Sequence, residues 1–182
     1  VEGRFRERIG VDAETILIAV VGRLAPIKNH KMFFDAARAL LERPWERKLN
    51  FLVIGDGELR DWAEAYVRRL GLQNHVRFCG WIKDIHTSFA DLDVLALTSL
   101  NEGTPVSIIE AMASSVPVIA TDAGGVRDLL GPQDSVKRRG FTLRRRGLLC
   151  EVEDAEGLAR GLGYLLEDSG KDNDARVERA RA

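Results

Sequence analysis

Cysteine and histidine are scarce in this sequence. The 182 residues contain two cysteines, Cys79 and Cys150, which lie far apart without a CxxC spacing. We interpret both as reduced cysteines in the core or at a strand end. The three histidines, His30, His75 and His86, show neither metal-ligand spacing nor a paired nucleophile. Surface or loop positions are therefore expected for them, and no metal site is predicted.

A surplus of charge and a long apolar run are also missing. The 27 basic side chains balance 28 acidic ones, and a net charge of −1 does not favour binding to nucleic acid or to a membrane surface. No apolar run is long enough to span a bilayer, and the first residues show no secretory signal pattern. We expect a cytoplasmic location, with any membrane association supplied by a segment outside this sequence.

Short apolar runs that alternate with helical patterns are what the chain does contain. Six strands are predicted, at residues 15–21, 49–54, 76–79, 94–97, 117–120 and 147–150. Helices are predicted at 31–42, 58–70, 82–90, after Thr104-Pro105, at 126–130 and at 155–166, with Asn29 as N-cap of the first. This alternation predicts an α/β fold: a doubly wound, Rossmann-like parallel sheet in three α/β/α layers, with strand order 3-2-1-4-5-6.

The chain is interpreted as one domain over residues 1–182. Its first residues, 1–8, read like the interior of a longer protein, and residues 1–14 and 168–182 are expected to flank the domain or to be poorly ordered. Residues 131–146 are irregular and basic. We favour a solvated loop or hairpin there over a phosphate or nucleic-acid patch.

Glycines and charged side chains follow several predicted strands. They occur in Gly22-Arg23, in Gly55-Asp56-Gly57, and in residues 99–103 and 122–125. Ligands of open α/β sheets bind at the carboxyl ends of the strands, where the winding reverses between strands one and four. Arg23 and Lys28 are therefore expected to face Glu102 and Glu110 across one crevice.

The residue types at that crevice suit a sugar nucleotide. Arg23 offers a fork of donors for phosphate oxygens, and Lys28 adds a point charge near a helix start. Glu110 is surrounded by apolar residues in the sequence, and burying a carboxylate is costly unless something donates hydrogen bonds to it. Ionised carboxylates accept from hydroxyl groups, so Glu110 could hold a ribose and Glu102 a sugar. Two solvated glutamates, or an acid/base pair as in glycoside hydrolysis, are the alternatives.

Taken in order, the motifs resemble the donor-binding C-terminal half of a GT-B, retaining glycosyltransferase of family 4, with its E-x7-E signature. The resemblance covers about residues 15–166. It is carried by Gly22-Arg23-Leu24 with Lys28, Gly55-Asp56-Gly57, Val76-x-Phe78-x-Gly80-Trp81, Glu102-Gly103 with Glu110-Ala111-Met112-Ala113, and Pro117-Val118-Ile119-Ala120-Thr121.

The resemblance implies that a sugar moves from a nucleotide-diphosphate sugar (UDP-, GDP- or ADP-linked) to an acceptor, with retention and without a metal. It implies catalytic roles for Arg23, Lys28 and Glu102, with the two cations stabilising the diphosphate leaving group. Glu110 would bind the ribose, and the turn at Trp81 and Ile82 would lie near the base. The implied binding residues are Gly22, Arg23, Lys28, Gly57, Trp81, Ile82, Glu102, Gly103, Thr104, Pro105, Val106 and Glu110.

The sequence departs from the family pattern at three places. Asn29 replaces a frequent Gly, Thr104-Pro105 replaces Phe-Gly, and Ser115 replaces a helix-ending Gly, which predicts local backbone strain at Ser115. The resemblance also implies an N-terminal acceptor domain that this sequence lacks. We therefore expect the chain alone to be inactive, with an unidentified acceptor for which lipid- and glycan-linked molecules are the options.

The sequence also contains features that imitate other kinds of site. Asp91-Leu92-Asp93 imitates a metal-binding D-x-D motif, but it precedes a strand and so falls at the wrong edge of the sheet. Trp81 could stack on a base or cover the core. Gly22 does not open a G-x-G-x-x-G motif, which argues against a dehydrogenase. A non-catalytic nucleotide-binding or interaction module, and half of a GT-B epimerase or phosphorylase, are the alternative functions.

Overall fold

A computed structural model describes residues 4–167, apart from the side chains of residues 134–137. Its sheet contains strands β1 to β8 in the order β3-β2-β1-β4-β5-β8-β7-β6. The first six strands in this order, β3-β2-β1-β4-β5-β8, pair in parallel. The pairs β8–β7 and β7–β6 are antiparallel. They cover Ile16–Val21, Leu49–Ile54, Val76–Gly80, Val94–Leu97, Val118–Thr121, Gln133–Arg138, Phe141–Arg144 and Gly147–Cys150.

The predicted strand order is confirmed, with β8 as the sixth predicted strand. The basic segment 131–146 forms the β6–β7 hairpin, which was one of the two favoured forms, and Phe141 anchors it in the core at 8% exposure. The expectation for residues 168–182 lies outside the described residues.

Seven helices in the described part of the chain cover both faces of the sheet. They are α1 Arg4–Ile9, α2 His30–Leu40, α3 Arg60–Arg69, α4 Ile85–Phe89, α5 Val106–Ala113, α6 Val126–Leu130 and α7 Ala155–Glu167, with a 3₁₀ turn at Pro26–Lys28. Alternate strand residues feed two separate cores: Ile18 and Phe51 pack under α2, α3 and α7, while Leu17 and Leu52 pack under the other helices. Burial on both faces explains the continuous apolar strands and confirms the three-layer fold.

For its own residues, Arg4–Ile9, helix α1 corrects the expectation that residues 1–14 only flank the domain or are poorly ordered. Phe5 is 1% exposed, and the Asp91 carboxylate accepts hydrogen bonds from the backbone N–H groups of Phe5 (2.8 Å) and Arg6 (3.0 Å). Arg6 donates to Asp93 at 2.8 Å and to the Thr15 carbonyl at 2.5 Å. The Asp91-Leu92-Asp93 motif thus holds α1 at the amino end of β4. Its position before that strand indicated this edge of the sheet.

Two further local expectations need correction. Helix α4 begins at Ile85, not at residue 82, because the Asp84 carboxylate accepts the Thr87 N–H at 3.3 Å and caps it. Asn29 occupies the cap position of α2 with φ +47°, and its side chain makes no capping hydrogen bond. Its left-handed backbone is a conformation that Gly and Asn adopt most readily. This explains why Asn occurs here where the family pattern frequently has Gly.

Ser115 adopts a left-handed backbone with φ +62°, and its Oγ is buried without a hydrogen-bond partner in the described structure. Ser115→Gly should raise the free energy of unfolding by about 1 kcal/mol, because it removes the strained Cβ and an unpaired hydroxyl. Urea denaturation measures the change. Ser114→Gly is the matched control, since Ser114 has φ −92° and should instead lose about 0.5–1 kcal/mol. A loss of stability in Ser115→Gly would contradict the strain.

Candidate functional site

The loops after β1 and β2 pack directly on each other at the carboxyl edge of the sheet. The Leu24 N–H donates to the Asp56 carbonyl at 3.0 Å, and the Leu59 N–H donates to the Leu24 carbonyl at 3.1 Å. A Cβ at Gly55 or Gly57 would collide with the backbone of Gly22 or Leu24. The described contacts therefore give these two glycines a packing role, and ligand binding by Gly57 stays a prediction.

The loop after β5 fixes the loop after β4 in the same way. The Gly125 N–H donates to the Glu102 carbonyl at 3.0 Å. A Cβ at Gly124 or Gly125 would collide with the carbonyl oxygen of Glu102 or Gly103. The loop after β5 thus holds the backbone that carries Glu102.

Lys28 and Glu102 meet across the switch point between β1 and β4. Lys28 Nζ lies 2.5 Å from Glu102 Oε1, and the two side chains are 27% and 12% exposed. The expectation that a cation from the β1 loop faces Glu102 is confirmed for this pair. Because the partners are 74 residues apart, their contact depends on the parallel pairing of β1 with β4.

Three buried hydroxyl groups support this pair, and the sequence interpretation missed them. Ser99 Oγ donates to Glu102 Oε1 at 2.5 Å, and Thr98 Oγ1 donates to the Lys28 carbonyl at 2.9 Å. Thr121 Oγ1 in turn donates to the Ser99 carbonyl at 2.7 Å. All three residues are at most 1% exposed. The available signal was a hydroxyl residue at the end of an apolar strand. Thr98 and Ser99 directly follow β4, and Thr121 ends β5. Such groups need hydrogen-bond partners when they are buried.

Arg23 takes a different partner from the one expected. Its Nε and Nη2 lie 3.1 and 3.0 Å from Glu58 Oε2, and both side chains are well exposed, at 66% and 49%. An exposed pair of this kind contributes little to stability. The Arg23 guanidinium can therefore turn from Glu58 to an incoming anion at small cost.

The Glu110 side chain lies half-buried on α5 and makes no hydrogen bond or ion pair within residues 4–167. Ile108 and Met112 on the same helix are buried, whereas Ile109 is 44% exposed. The helix thus presents the carboxylate at the boundary of core and solvent. Such a group is suited to accepting hydrogen bonds from a ligand hydroxyl.

Trp81 is 70% exposed, so the interpretation that it covers the core is wrong. Together with Ile82, Phe78 and Arg8 it lines a cleft of about 690 Å³ beside α1. The glycine at the end of β3, Gly80, has φ +64° and turns the chain outward there. The indole is available for stacking on a planar ligand.

His30 corrects the expected surface or loop position of the histidines. It is 3% exposed as the first residue of α2, and neither ring nitrogen has a partner among the described residues. Burial first, and the nearby Lys28 charge second, lower the pKa of His30 to about 4. At neutral pH the imidazole is therefore uncharged, and Lys28 is the cation of this turn.

The cysteines are not paired. Cys79 is partly buried on β3 and Cys150 is buried at the end of β8, as expected. Burial raises the pKa of the Cys150 thiol to about 12. Across residues 4–167, no three His, Cys, Asp or Glu side chains are grouped so that they could hold a metal ion. None of the helices in the described part is long and apolar enough to cross a membrane.

Known proteins resemble this chain in both sequence and fold. The chain is 33% identical over 169 residues to the UDP-Gal:alpha-D-GlcNAc-diphosphoundecaprenol alpha-1,3-galactosyltransferase of Escherichia coli, matching 92% of this chain and 41% of that enzyme. The crystal structure of Anabaena Alr3699/HepE in complex with UDP superposes with a TM-score of 0.79 at 27% identity, over 98% of this chain and 46% of that one. This chain therefore spans less than half the length of either protein.

A solved structure of a comparable piece also exists. The C-terminal domain of the glycosyl transferase group 1 protein LpcC from Francisella tularensis has a TM-score of 0.72 and 26% identity, over 91% of this chain and 82% of that one. The model of the family described as glycosyl transferases group 1 matches residues 1–182, the whole chain. The resemblance inferred from the motifs is confirmed, and the chain belongs to the glycosyl transferases group 1 family.

Proposed function

We propose that this chain is the donor-binding half of a retaining glycosyltransferase, which transfers a sugar from a nucleotide-diphosphate sugar to an acceptor. The observation that carries the proposal is the Lys28–Glu102 pair at the switch point, with Arg23 and Glu110 on its neighbouring loops and helix. Cations and hydroxyl-accepting carboxylates at one edge suit a diphosphate joined to two sugars.

Each residue has a role in this proposal. Lys28 and Arg23 bind the diphosphate and stabilise the negative charge that develops on it as the bond to the sugar breaks. Glu110 accepts hydrogen bonds from the ribose, and Glu102 accepts one from the transferred sugar. Trp81, with Ile82 beside it, lies against the base. The backbone of residues 103–106 leads into the N-terminus of α5, whose N–H groups favour an anion.

We infer that the remaining parts of the reaction depend on the segment of the longer relatives that this chain does not span. We propose that this segment holds the acceptor and closes the cleft, so that the chain alone binds donor without turning it over. The cytoplasmic location stays a prediction. UDP is the first nucleotide to test, because the E. coli relative is named for UDP-Gal and HepE was solved with UDP.

Calorimetric titration of the chain with UDP, GDP and ADP tests the proposal. We expect one of them to bind, and Arg23→Ala and Glu110→Gln should each weaken it by about 1–3 kcal/mol, because the first removes donors to the diphosphate and the second replaces a charged acceptor of the ribose hydroxyls with a neutral one. The matched controls are Arg160→Ala and Glu156→Gln, which remove the same groups from an exposed pair on α7.

The outcomes separate the alternatives. If none of the three nucleotides binds at millimolar concentration, donor binding is wrong. Unchanged affinity in both site variants would contradict the residue assignments. If nucleotide binds but the complete protein transfers no sugar, a non-catalytic module of the same fold becomes the better interpretation. Formation of an epimer or a sugar phosphate would indicate the epimerase or phosphorylase alternative.

A further inference from the structure

The cation proposed for the donor diphosphate already has an anion in contact with it. Glu102 Oε1 lies 2.5 Å from Lys28 Nζ and also accepts the Ser99 hydroxyl at 2.5 Å. The Glu102 side chain is only 12% exposed, so water contributes little to its solvation. A diphosphate that approaches Lys28 therefore competes with an internal carboxylate.

Glu102 is not able to follow Lys28 or to turn into solvent without losing other contacts. Ser99 is 1% exposed, and the Thr121 hydroxyl holds its carbonyl at 2.7 Å. The carbonyl of Glu102 itself accepts from the Gly125 N–H at 3.0 Å. A carboxylate fixed in this way loses its counter-charge when Lys28 turns to phosphate, and a poorly solvated carboxylate without a counter-charge is unfavourable.

From this geometry we propose that the Lys28–Glu102 pair is an exchange element that makes the site select nucleotide sugars over free nucleoside diphosphates. The inference rests on the proposed donor site. A nucleoside diphosphate takes Lys28 and leaves Glu102 without a counter-charge, with only the Ser99 hydroxyl still donating to it. A nucleotide sugar takes Lys28 in the same way, and a hydroxyl of its sugar then donates to the released carboxylate, which compensates the loss.

The exchange has a consequence for product release. After transfer, the nucleoside diphosphate remains without the sugar that satisfied Glu102. The Glu102 carboxylate then competes for Lys28 again and favours dissociation of the diphosphate. The pair would thus weaken binding of the product relative to the donor. Both ligands must displace the Glu102 carboxylate from Lys28, but only the donor compensates for it.

Calorimetry on Glu102→Gln tests the proposal, with UDP and UDP-glucose as the probes. The glutamine keeps the shape of the side chain but has no charge with which to hold Lys28. We expect UDP to bind about 3- to 10-fold more tightly, as the loss of a competing, partly buried ion pair would produce. UDP-glucose should gain less or become weaker, so that the ratio of the two dissociation constants moves toward UDP.

Two further variants and a control complete the design. Glu102→Ala removes the same charge and should shift UDP affinity in the same direction if Glu102→Gln does not fold. In a Lys28→Met background, Glu102→Gln should change UDP affinity by less than it does with Lys28 present, because only the direct repulsion between the carboxylate and the diphosphate is then removed. Glu156→Gln removes an equal charge from an exposed site on α7 and should not change either affinity.

The results distinguish this inference from the proposed function beneath it. If the unsubstituted chain binds neither probe nor any other nucleotide tested, the donor site itself is wrong. If UDP binds to the unsubstituted chain and Glu102→Gln binds it equally or more weakly, the pair is a permanent structural contact and the exchange is overturned. Tighter UDP binding with an unchanged preference for UDP-glucose would also overturn the selection role.

Discussion

Replacing Arg6 with methionine should lower the free energy of unfolding by about 2–4 kcal/mol. The guanidinium, 13% exposed, donates to Asp93 at 2.8 Å and to the carbonyls of Thr15 at 2.5 Å and Asp91 at 3.0 Å. Methionine retains the apolar length of the side chain and loses these hydrogen bonds, together with two longer ones to the carbonyls of Asp12 (3.3 Å) and Ala13 (3.4 Å). The Asp93 carboxylate would keep only the Leu17 N–H at 2.7 Å, although its side chain is 32% exposed and water relieves part of the loss.

Urea denaturation measures this effect against a matched substitution. Arg8→Met changes the same residue type on the same helix, where the exposed guanidinium contacts only the Phe5 ring, at 5.1 Å, among the contacts described. It should change stability by less than about 1 kcal/mol. Asp93→Asn combined with Arg6→Met should show a coupling that Asp93→Asn with Arg8→Met lacks. Equal losses from the two arginine substitutions would mean that the network does not hold α1.

A loss of stability in mild acid is the second large effect expected, and His30 is its source. Its pKa in the folded protein is about 4, below the ordinary value of 6.5. The unfolded chain therefore binds a proton that the folded chain does not, and stability falls as pH drops below about 6.5, down to about 4. The shift corresponds to a loss of about 2–3 kcal/mol at pH 4 relative to pH 7.

The difference between two pH profiles isolates this contribution. Free energies of unfolding should be measured from pH 7 to pH 4 for the unsubstituted chain and for His30→Leu. Leucine has no titrating group, so the profile should lose most of its slope whatever the substitution does to stability at pH 7. His86→Leu, at an exposed position on α4, should keep the slope. Parallel profiles for the unsubstituted chain and His30→Leu would show that His30 titrates normally.

Local sequence pattern was sufficient for the fold. Continuous apolar runs reveal strands buried on both faces, and their alternation with amphipathic helices leaves few topologies with right-handed crossovers. The edge at which Gly22, Lys28 and Glu102 meet follows from that order. The family pattern, which has a Gly at that place, pointed to Ser115 as a strained position, and its φ of +62° confirms this.

Partners of side chains were beyond the reach of the sequence. Lys28 contacts Glu102 from 74 residues away, and Arg6 contacts Asp93 from 87 residues away. Such pairs depend on which loops the assembled sheet brings together and on rotamers that packing selects. The sequence predicted that Arg23 lies in the crevice opposite Glu102. In the structure its side chain instead pairs with Glu58, in the loop after β2.

By itself, the sequence determined the layers, the strand order and the edge that carries the site, because hydrophobic periodicity and parallel connectivity act over short stretches of chain. Tertiary structure alone decided that Lys28 is already paired, that three buried hydroxyl residues support the pair, that His30 is buried and that Trp81 is exposed. The physical reason is that burial and charge pairing are properties of the assembled surfaces, and each requires residues far apart in the chain.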